Sequence, residues 1–399
     1  MDNATGRVYN GATTKQRNLM GFSSETLALL DYAKDMRRAL HRIPERGLEE
    51  HGTQRFVLAQ LDALGIPAEK IASTGVKAVL RGGKPGLVTA IRADMDALNV
   101  CEKTGCDFTS EHEGWMHACG HDGHMAALLA AARLLKENLE RVSGTVVLLF
   151  QPCEELVKGA RMLMEAGALD SPAVDRVFAF HLMPHLPEGT IGVVPGPVMA
   201  AACEFAIDVT GRSAHGAMPH LAVDAIAAAA AFVTGAQAVI SRVKPPEAPG
   251  LLTFGKFVGG SRHNIIAGHV ELEGTLRAYD DVVMASMRQS LLNHLKGLEQ
   301  AWGVTTQFRV LSEVPVTAND SGLAQLALSL APDLTTIAAP LTVAEDFSLY
   351  RQKAPAFMGL LGCRNEGLGF TEPLHSDRFN FREHALLAAV EFYKRLLVT

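Results

Sequence analysis

Thr145-Val146-Val147-Leu148-Leu149-Phe150, followed at once by Gln151-Pro152-Cys153-Glu154-Glu155, is the stretch on which the fold turns. A short continuous apolar run stopped by proline predicts a strand covered on both faces, as in a parallel sheet. Val177-Phe178-Ala179-Phe180 repeats the pattern, and β-rich segments precede both, at Ala78–Arg81 and Leu87–Arg92. Helices are predicted over Ser24–Leu40, with Ser23 or Ser24 as N-cap, and over Thr53–Leu64, which stops at Gly65 and Pro67. A third, Asp122–Asn138, is apolar on more than one face and is therefore expected to be buried. This alternation predicts an α/β fold, a mostly parallel sheet with helices on both faces.

After Met199 the pattern changes. A strand (Glu204–Val209), a long helix (Val223–Arg242), strands at Leu251–Val258 and His269–Arg277, a helix (Asp281–Trp302) and a strand (Gln307–Leu311) follow in turn. That order predicts a small α+β domain with an antiparallel sheet, inserted over 201–312 into a larger domain made of 25–200 and 313–399. The larger domain resumes with a buried strand at Phe357–Leu361 and closes with a helix over Arg382–Leu397. Residues 1–24 are polar and read as a disordered or irregular lead-in without the apolar core of a signal peptide.

With 399 residues, a net charge of -6 and no basic run, the chain offers nothing to nucleic acid or an anionic membrane. Its longest small-apolar run, Ala222–Ala238, carries Asp224, and no stretch is expected to reach spanning length. The six cysteines show no framework spacing, which fits a reduced cytoplasm.

Polar residues gather where predicted strands end: Asp94 and Asp96 after Leu87–Arg92, Glu154 and Glu155 after Thr145–Phe150, His181 after Val177–Phe180. Ligands of open α/β sheets bind just beyond such ends, so the three strands predict one shared crevice. Met116-His117-Ala118-Cys119-Gly120-His121-Asp122-Gly123-His124 is the densest cluster. Thiolate and imidazole two residues apart suit zinc, cobalt or manganese-like ions, not calcium. A lone buried cysteine is more often inert core and a lone histidine more often a hydrogen-bonded structural residue; together they point to metal. Adjacent residues on extended backbone point opposite ways, so one carboxylate of Glu154-Glu155 could hold a metal while the other serves as general base. Asp94 and Asp96 read as acids orienting a metal ligand, Asp96 alternatively as an N-cap. His375, after a Gly-rich loop, could complete the site.

Five motifs together resemble the M20 metallopeptidases. They are His41-Arg42-Ile43-Pro44-Glu45, Arg92 through Leu98, Met116 through His124, Gln151 through Glu155 and Gly211 through His220. Gly274-Thr275-Leu276-Arg277, Ala344-Glu345-Asp346-Phe347 and His375 continue the match, which runs from about residue 30 to the C-terminus. The likeness is to the aminoacylase, hippurate hydrolase and auxin-conjugate hydrolase branch. It implies Cys119, His121, Glu155, His181 and His375 as ligands of two divalent ions, Zn or Mn, with Co or Ni as further choices. It also implies Glu154 as general base, with Asp96 and His215 counted beside it. His215 would reach a neighbouring subunit's site from the inserted lid, with Asn264 and Arg277 holding the substrate carboxylate, in a homodimer or a tetramer. The implied reaction is hydrolysis of N-acyl amino acids; a dipeptidase or carboxypeptidase on the same site, and a catalytically silent metal-binding protein, are the rivals. Three departures stand out: Leu156-Val157-Lys158-Gly159 in place of a Gly-rich run, Asn99 in place of proline, and His263 in place of a small residue before Asn264.

Overall fold

The computed structural model describes residues 21–399, so residues 1–20 of the expected lead-in lie outside the described residues. Among these, an eight-stranded sheet forms the centre. Its four middle strands, Ser143–Gln151, Lys84–Asp94, Arg176–Pro187 and Ala356–Arg364, run parallel in that order. Antiparallel strands flank them, Gly75–Arg81 on one side and Ile191–Val193 on the other.

The continuous apolar runs are explained by the two faces they cover. Ile91, Leu148, Phe150, Phe178 and Phe180 pack under the helices Leu30–His41, His121–Glu137 and Leu386–Leu397, while Ala90, Val147, Leu149, Val177 and Ala179 pack on the opposite face. Helix His121–Glu137 is buried almost throughout, as its all-round apolarity predicted. The first helix is broken: Ser23 caps a turn over Ser24–Leu27, and a second segment starts at Leu30. Several short elements had no clear signal in the sequence, among them the helices Gly159–Glu165 and Ser321–Leu330 and the edge strand Thr335–Ile337.

A separate core occupies the stretch after Met199. Strands Gly250–Gly259, His269–Ala278, Ala201–Thr210 and Thr305–Val314 form an antiparallel sheet in that order, and two helices lie on it. Asp224 and Asp280 cap those helices by accepting the N–H groups of Ile226 and Ala227, and of Val282 and Val283. The first of them, Ala225–Val243, corrects one expectation: with 19 residues it is long and apolar enough to cross a membrane by length and composition. It turns Ala225, Ala228, Ala229, Phe232, Ala236 and Ile240 onto the sheet instead.

Where the central strands meet, one buried guanidinium ties them together. Arg92 donates to Gln151 Oε1 (2.9 Å), Asp94 Oδ2 (2.7 Å), Glu345 Oε1 (2.8 Å) and Asp346 Oδ1 (3.2 Å). Gln151 Nε2 also donates to Asp346 Oδ1 at 2.7 Å, and the Ala160 N–H to Asp346 Oδ2 at 2.9 Å. Removing one member of such a buried set strands the others as unpaired charges, the costly case for buried ion pairs. Arg92→Met should therefore lower unfolding free energy by about 3–5 kcal/mol in a denaturant titration; a loss below about 1 kcal/mol would deny the network this role.

Candidate metal centre

Helix His121–Glu137 starts on Gly120, whose φ of +86° and close approach to Leu182 exclude a larger residue. That start aims the His121 ring at the ends of the middle strands. Its Nδ1 donates to the Asp96 carbonyl at 2.9 Å, which turns Nε2 inward. This Nε2 is buried without a hydrogen-bond partner, 3.6 Å from Asp94 Oδ2, 3.9 Å from Glu154 Oε2 and 3.8 Å from Glu155 Oε1. Glu155 Oε1 is likewise buried and unpartnered. Two orphaned donor atoms facing each other at this separation are too far apart to bond directly and correctly spaced to share an ion at about 2.0–2.2 Å from each.

His181 is the second preset imidazole. It lies inside strand Arg176–Pro187 and not beyond it, because the strand runs past the crevice. Nδ1 donates to the Leu182 carbonyl (2.9 Å), and Nε2 faces Cys119 Sγ at 3.5 Å. Cys119 belongs to two donor groups, one with His121 and His181 and one with Glu155 and His375, each with its donor atoms within 4.8 Å of one another. His375 adopts φ +66°, and its N–H donates to the Ala118 carbonyl at 2.8 Å, so its loop is pinned to the segment that carries Cys119.

The Glu pair corrects an expectation. Residues 154–157 form a turn and not extended backbone, with Val157 N donating to the Glu154 carbonyl at 2.6 Å, so both carboxylates face the same His121. Asp96 fixes that turn: its Oδ1 and Oδ2 accept the N–H groups of Glu154 and Glu155, each at 3.0 Å. By accepting both N–H groups Asp96 orients the pair, which is the supporting role the sequence suggests for it. Val157 holds φ +58° where the resemblance implies glycine, and Leu156 is exposed beside the site. Asn99 only closes a turn, donating to the Gly114 carbonyl.

The candidate residues of the second core stand apart. A two-residue ladder pairs Ile265 with His215, and the Gly216 N–H donates to the Asn264 carbonyl at 2.8 Å, so His215 and Asn264 share one exposed edge. Among the described residues, His215 makes no hydrogen bond or ion pair to the cysteine, histidines or carboxylates above. Arg277 lies on another strand, turned to Thr275, the Leu276 carbonyl and Glu204.

Arg92 and Glu345 have no site role in the sequence alone, where His124 reads either as part of the metal-binding cluster or as a hydrogen-bonded or supporting histidine. The signal was present in part: Arg92, Asp94 and Asp96 alternate along a strand and so share a face. Nothing in sequence pairs Arg92 with Glu345.

Charge in the crevice is heavily negative. Burial raises the Cys119 thiol well above its usual range, and Glu155 and Glu154 add to it. Burial likewise lifts Glu155 up to about 7. For His121 burial works the other way, yet Asp94, Asp96 and Glu155 push it up to about 10. Burial, aided by His124, lowers His181 to about 4 and keeps its lone pair free. A site that holds protons this firmly is short of positive charge, and these donors fit borderline divalent ions.

The sheet with its crevice and cluster of convergent donors describes a metal-dependent hydrolase of the α/β class. Residues 90–399 match Peptidase family M20/M25/M40, and the chain belongs to that family. It is 37% identical over 370 residues to an N-acetyl-L-cysteine deacetylase of Bacillus subtilis (strain 168), covering 91% of this chain and 87% of that one. An N-acyl-L-amino acid amidohydrolase of Geobacillus stearothermophilus is 42% identical over 275 residues, 68% of this chain and 74% of the relative. Among solved structures, the Bacillus subtilis YXEP protein, described as a dinuclear metal-binding peptidase of the M20 family, aligns with TM-score 0.81 at 32% identity, covering 93% and 98% of the two chains.

Because Cys119, His121 and Glu155 hold protons in the metal-free protein near neutrality, an ion must displace them. Metal uptake at pH 7 should release protons in calorimetry across buffers of different ionisation enthalpy, and affinity should fall steadily from about pH 8 to about pH 6. Uptake without proton release would contradict this charge balance.

Proposed function

We propose that the protein hydrolyses the amide bond of N-acyl amino acids at a centre of two divalent ions, Zn or Mn, held by Cys119, His121, Glu155, His181 and His375. The observation that carries the reading is that these donors lie within reach of one another, with the Glu154 carboxylate among them 3.9 Å from His121 Nε2; the family resemblance gives Glu154 the part of base and Glu155 that of ligand. Cys119 is common to two donor groups, so its thiolate could serve an ion held by either. Bound ions of this kind polarise a carbonyl and acidify a water.

The chain's own residues do the rest. Burial, with the charges of Glu345 and Glu155, raises the proton affinity of Glu154. That suits a base which takes a proton from the attacking water and returns it to the leaving amine. His215 donates to the developing oxyanion, the kind of contact worth about 3 kcal/mol. Asn264, beside it on the lid edge, and Arg277 hold the substrate carboxylate.

His215 acts from a neighbouring subunit in a homodimer joined through the lid. Support comes from the distance in sequence between His215 and the other groups. It comes also from the lid's edge strand Gly250–Gly259, which exposes Leu251, Phe257 and Val258. A second reading, peptide hydrolysis on the same residues, is favoured by one relative: thermostable carboxypeptidase 1 of Saccharolobus solfataricus is 34% identical over 374 residues. Metal-reconstituted enzyme assayed on N-acetyl, N-benzoyl and indole-acetyl amino acids against dipeptides separates the two. Cleavage of the acyl amino acids at the higher kcat/KM is expected; preference for dipeptides would select the peptidase, and no turnover with any metal would leave a silent binding protein.

Glu154→Gln should retain both ions and lose about 10²–10⁴-fold in kcat, since it removes a proton acceptor and no ligand. Loss of an ion from that variant would exchange the roles of Glu154 and Glu155. Inactive His215→Ala and Glu154→Gln chains, mixed and allowed to exchange, should regain roughly a quarter of wild-type activity, because half the dimers are mixed and each has one intact composite site. Proven exchange without recovery would place His215 within its own chain's site or outside catalysis.

A further inference from the structure

His124 has the look of a metal ligand, since its ring lies in a donor group with Asp94 and His121. Both of its nitrogens are already engaged. The Leu182 N–H donates to Nε2 at 2.9 Å, so Nε2 carries the lone pair and Nδ1 the proton. That proton goes to Asp94 Oδ1 at 2.6 Å. No lone pair remains for an ion.

The partner of Nε2 is informative. Pairing between strands Lys84–Asp94 and Arg176–Pro187 ends at Arg92 and Ala179, three residues short of Leu182. Beyond that point an inward backbone N–H has no strand acceptor, and a buried one must find another. His124 supplies it. The same residue, Leu182, turns its carbonyl to His181 Nδ1 at 2.9 Å, which sets Nε2 of His181 toward Cys119. Behind His124, Asp94 Oδ2 is held by Arg92 at 2.7 Å, and Arg92 in turn by Glu345 and Asp346.

We infer that His124 is a positioning residue: through the Leu182 peptide it holds His181 in the orientation and tautomer that present Nε2 to an ion, with Asp94 and Arg92 fixing His124 from behind. The inference rests on reading His181 as a ligand. It assigns to the pair Arg92 and Glu345 a part in metal retention that neither could play by contact. Outer partners of ligating histidines change metal affinity about 10–100-fold when removed.

The test is a titration of chelator-stripped protein with Zn or Mn against a chromophoric competitor, which reads ion number and affinity without any substrate. Wild type should take up two ions. In His124→Leu the affinity of one ion should fall about 10–100-fold, with the other within about threefold of wild type. His124→Gln should recover most of the loss, because a carboxamide offers an N–H to Asp94 and an oxygen to the Leu182 N–H. A residue that merely filled space would be served as well by Leu as by Gln. Equal losses in both variants, or two ions bound at wild-type affinity by His124→Leu, would overturn the inference.

Should His124→Leu fail to fold, Asp94→Asn decides. Its amide N–H, turned to His124 Nδ1 while its oxygen keeps Arg92, favours the opposite tautomer and sets a ring N–H against the Leu182 N–H. One ion should again weaken by about 10–100-fold, and unchanged affinity for both would overturn the inference. Wild-type protein that takes up no ion would sink the metal reading itself, a result distinct from failure of the relay.

Discussion

A single buried guanidinium, that of Arg92, allows this crevice to exist. Asp94, Glu345 and Asp346 are essentially without solvent, and each accepts a hydrogen bond from Arg92. Three carboxylates packed together without it would repel one another and lose their hydration. Arg92 sits on the strand next to Gln151 and opposite Ala179, so it joins the ends of three strands and the segment after Ala344. Two supports of the crevice continue the strand that carries Arg92. Asp94 reaches the histidine side, and Asp96, two residues along, reaches the Glu154 turn.

The resulting site is under-neutralised, and that is its working property. Ordinary buried polar groups in folded proteins find partners. Here His121 Nε2 and Glu155 Oε1 have none, although the neighbouring Nδ1 of His121 and N–H of Glu155 are both hydrogen-bonded to Asp96. Three histidines have their tautomers set by one hydrogen bond each, to the carbonyls of Asp96 and Leu182 and to the carboxylate of Asp94. Two of the three are left with Nε2 turned inward. An arrangement with so much preorganisation and so little internal satisfaction is complementary to small hard-to-borderline cations and to little else.

Much of the fold was legible from residue pattern because burial on both sheet faces leaves an unmistakable mark. The runs around Val147 and Phe178 could only be central strands, and the strand and helix order after Met199 came through with boundaries displaced by a few residues. Legibility failed where the determining contact is distant in sequence. Glu345 and Arg92 are paired across about 250 positions, so no local reading could join them. The Glu154–Glu155 turn was misread as extended because its cause, the Asp96 carboxylate accepting two successive N–H groups, lies 58 and 59 residues upstream. Short edge elements such as Thr335–Ile337 bury little and left no periodic signal. Candidate donors were legible as residue types at strand ends, and Asp96 already reads there as an orienting acid; for His124 the choice between donor and support required its hydrogen bonds.

The central claim is that Cys119, His121, Glu155, His181 and His375 hold two ions while Asp94, Asp96 and His124 hold the ligands. Anomalous diffraction from crystals of metal-loaded protein tests it most directly. The account predicts two peaks about 3.5–4 Å apart, with the Cys119 sulfur about 2.3 Å from an ion and the two His124 nitrogens still on Asp94 and Leu182. A single peak, or an ion coordinated by His124 with Cys119 left free, would contradict it.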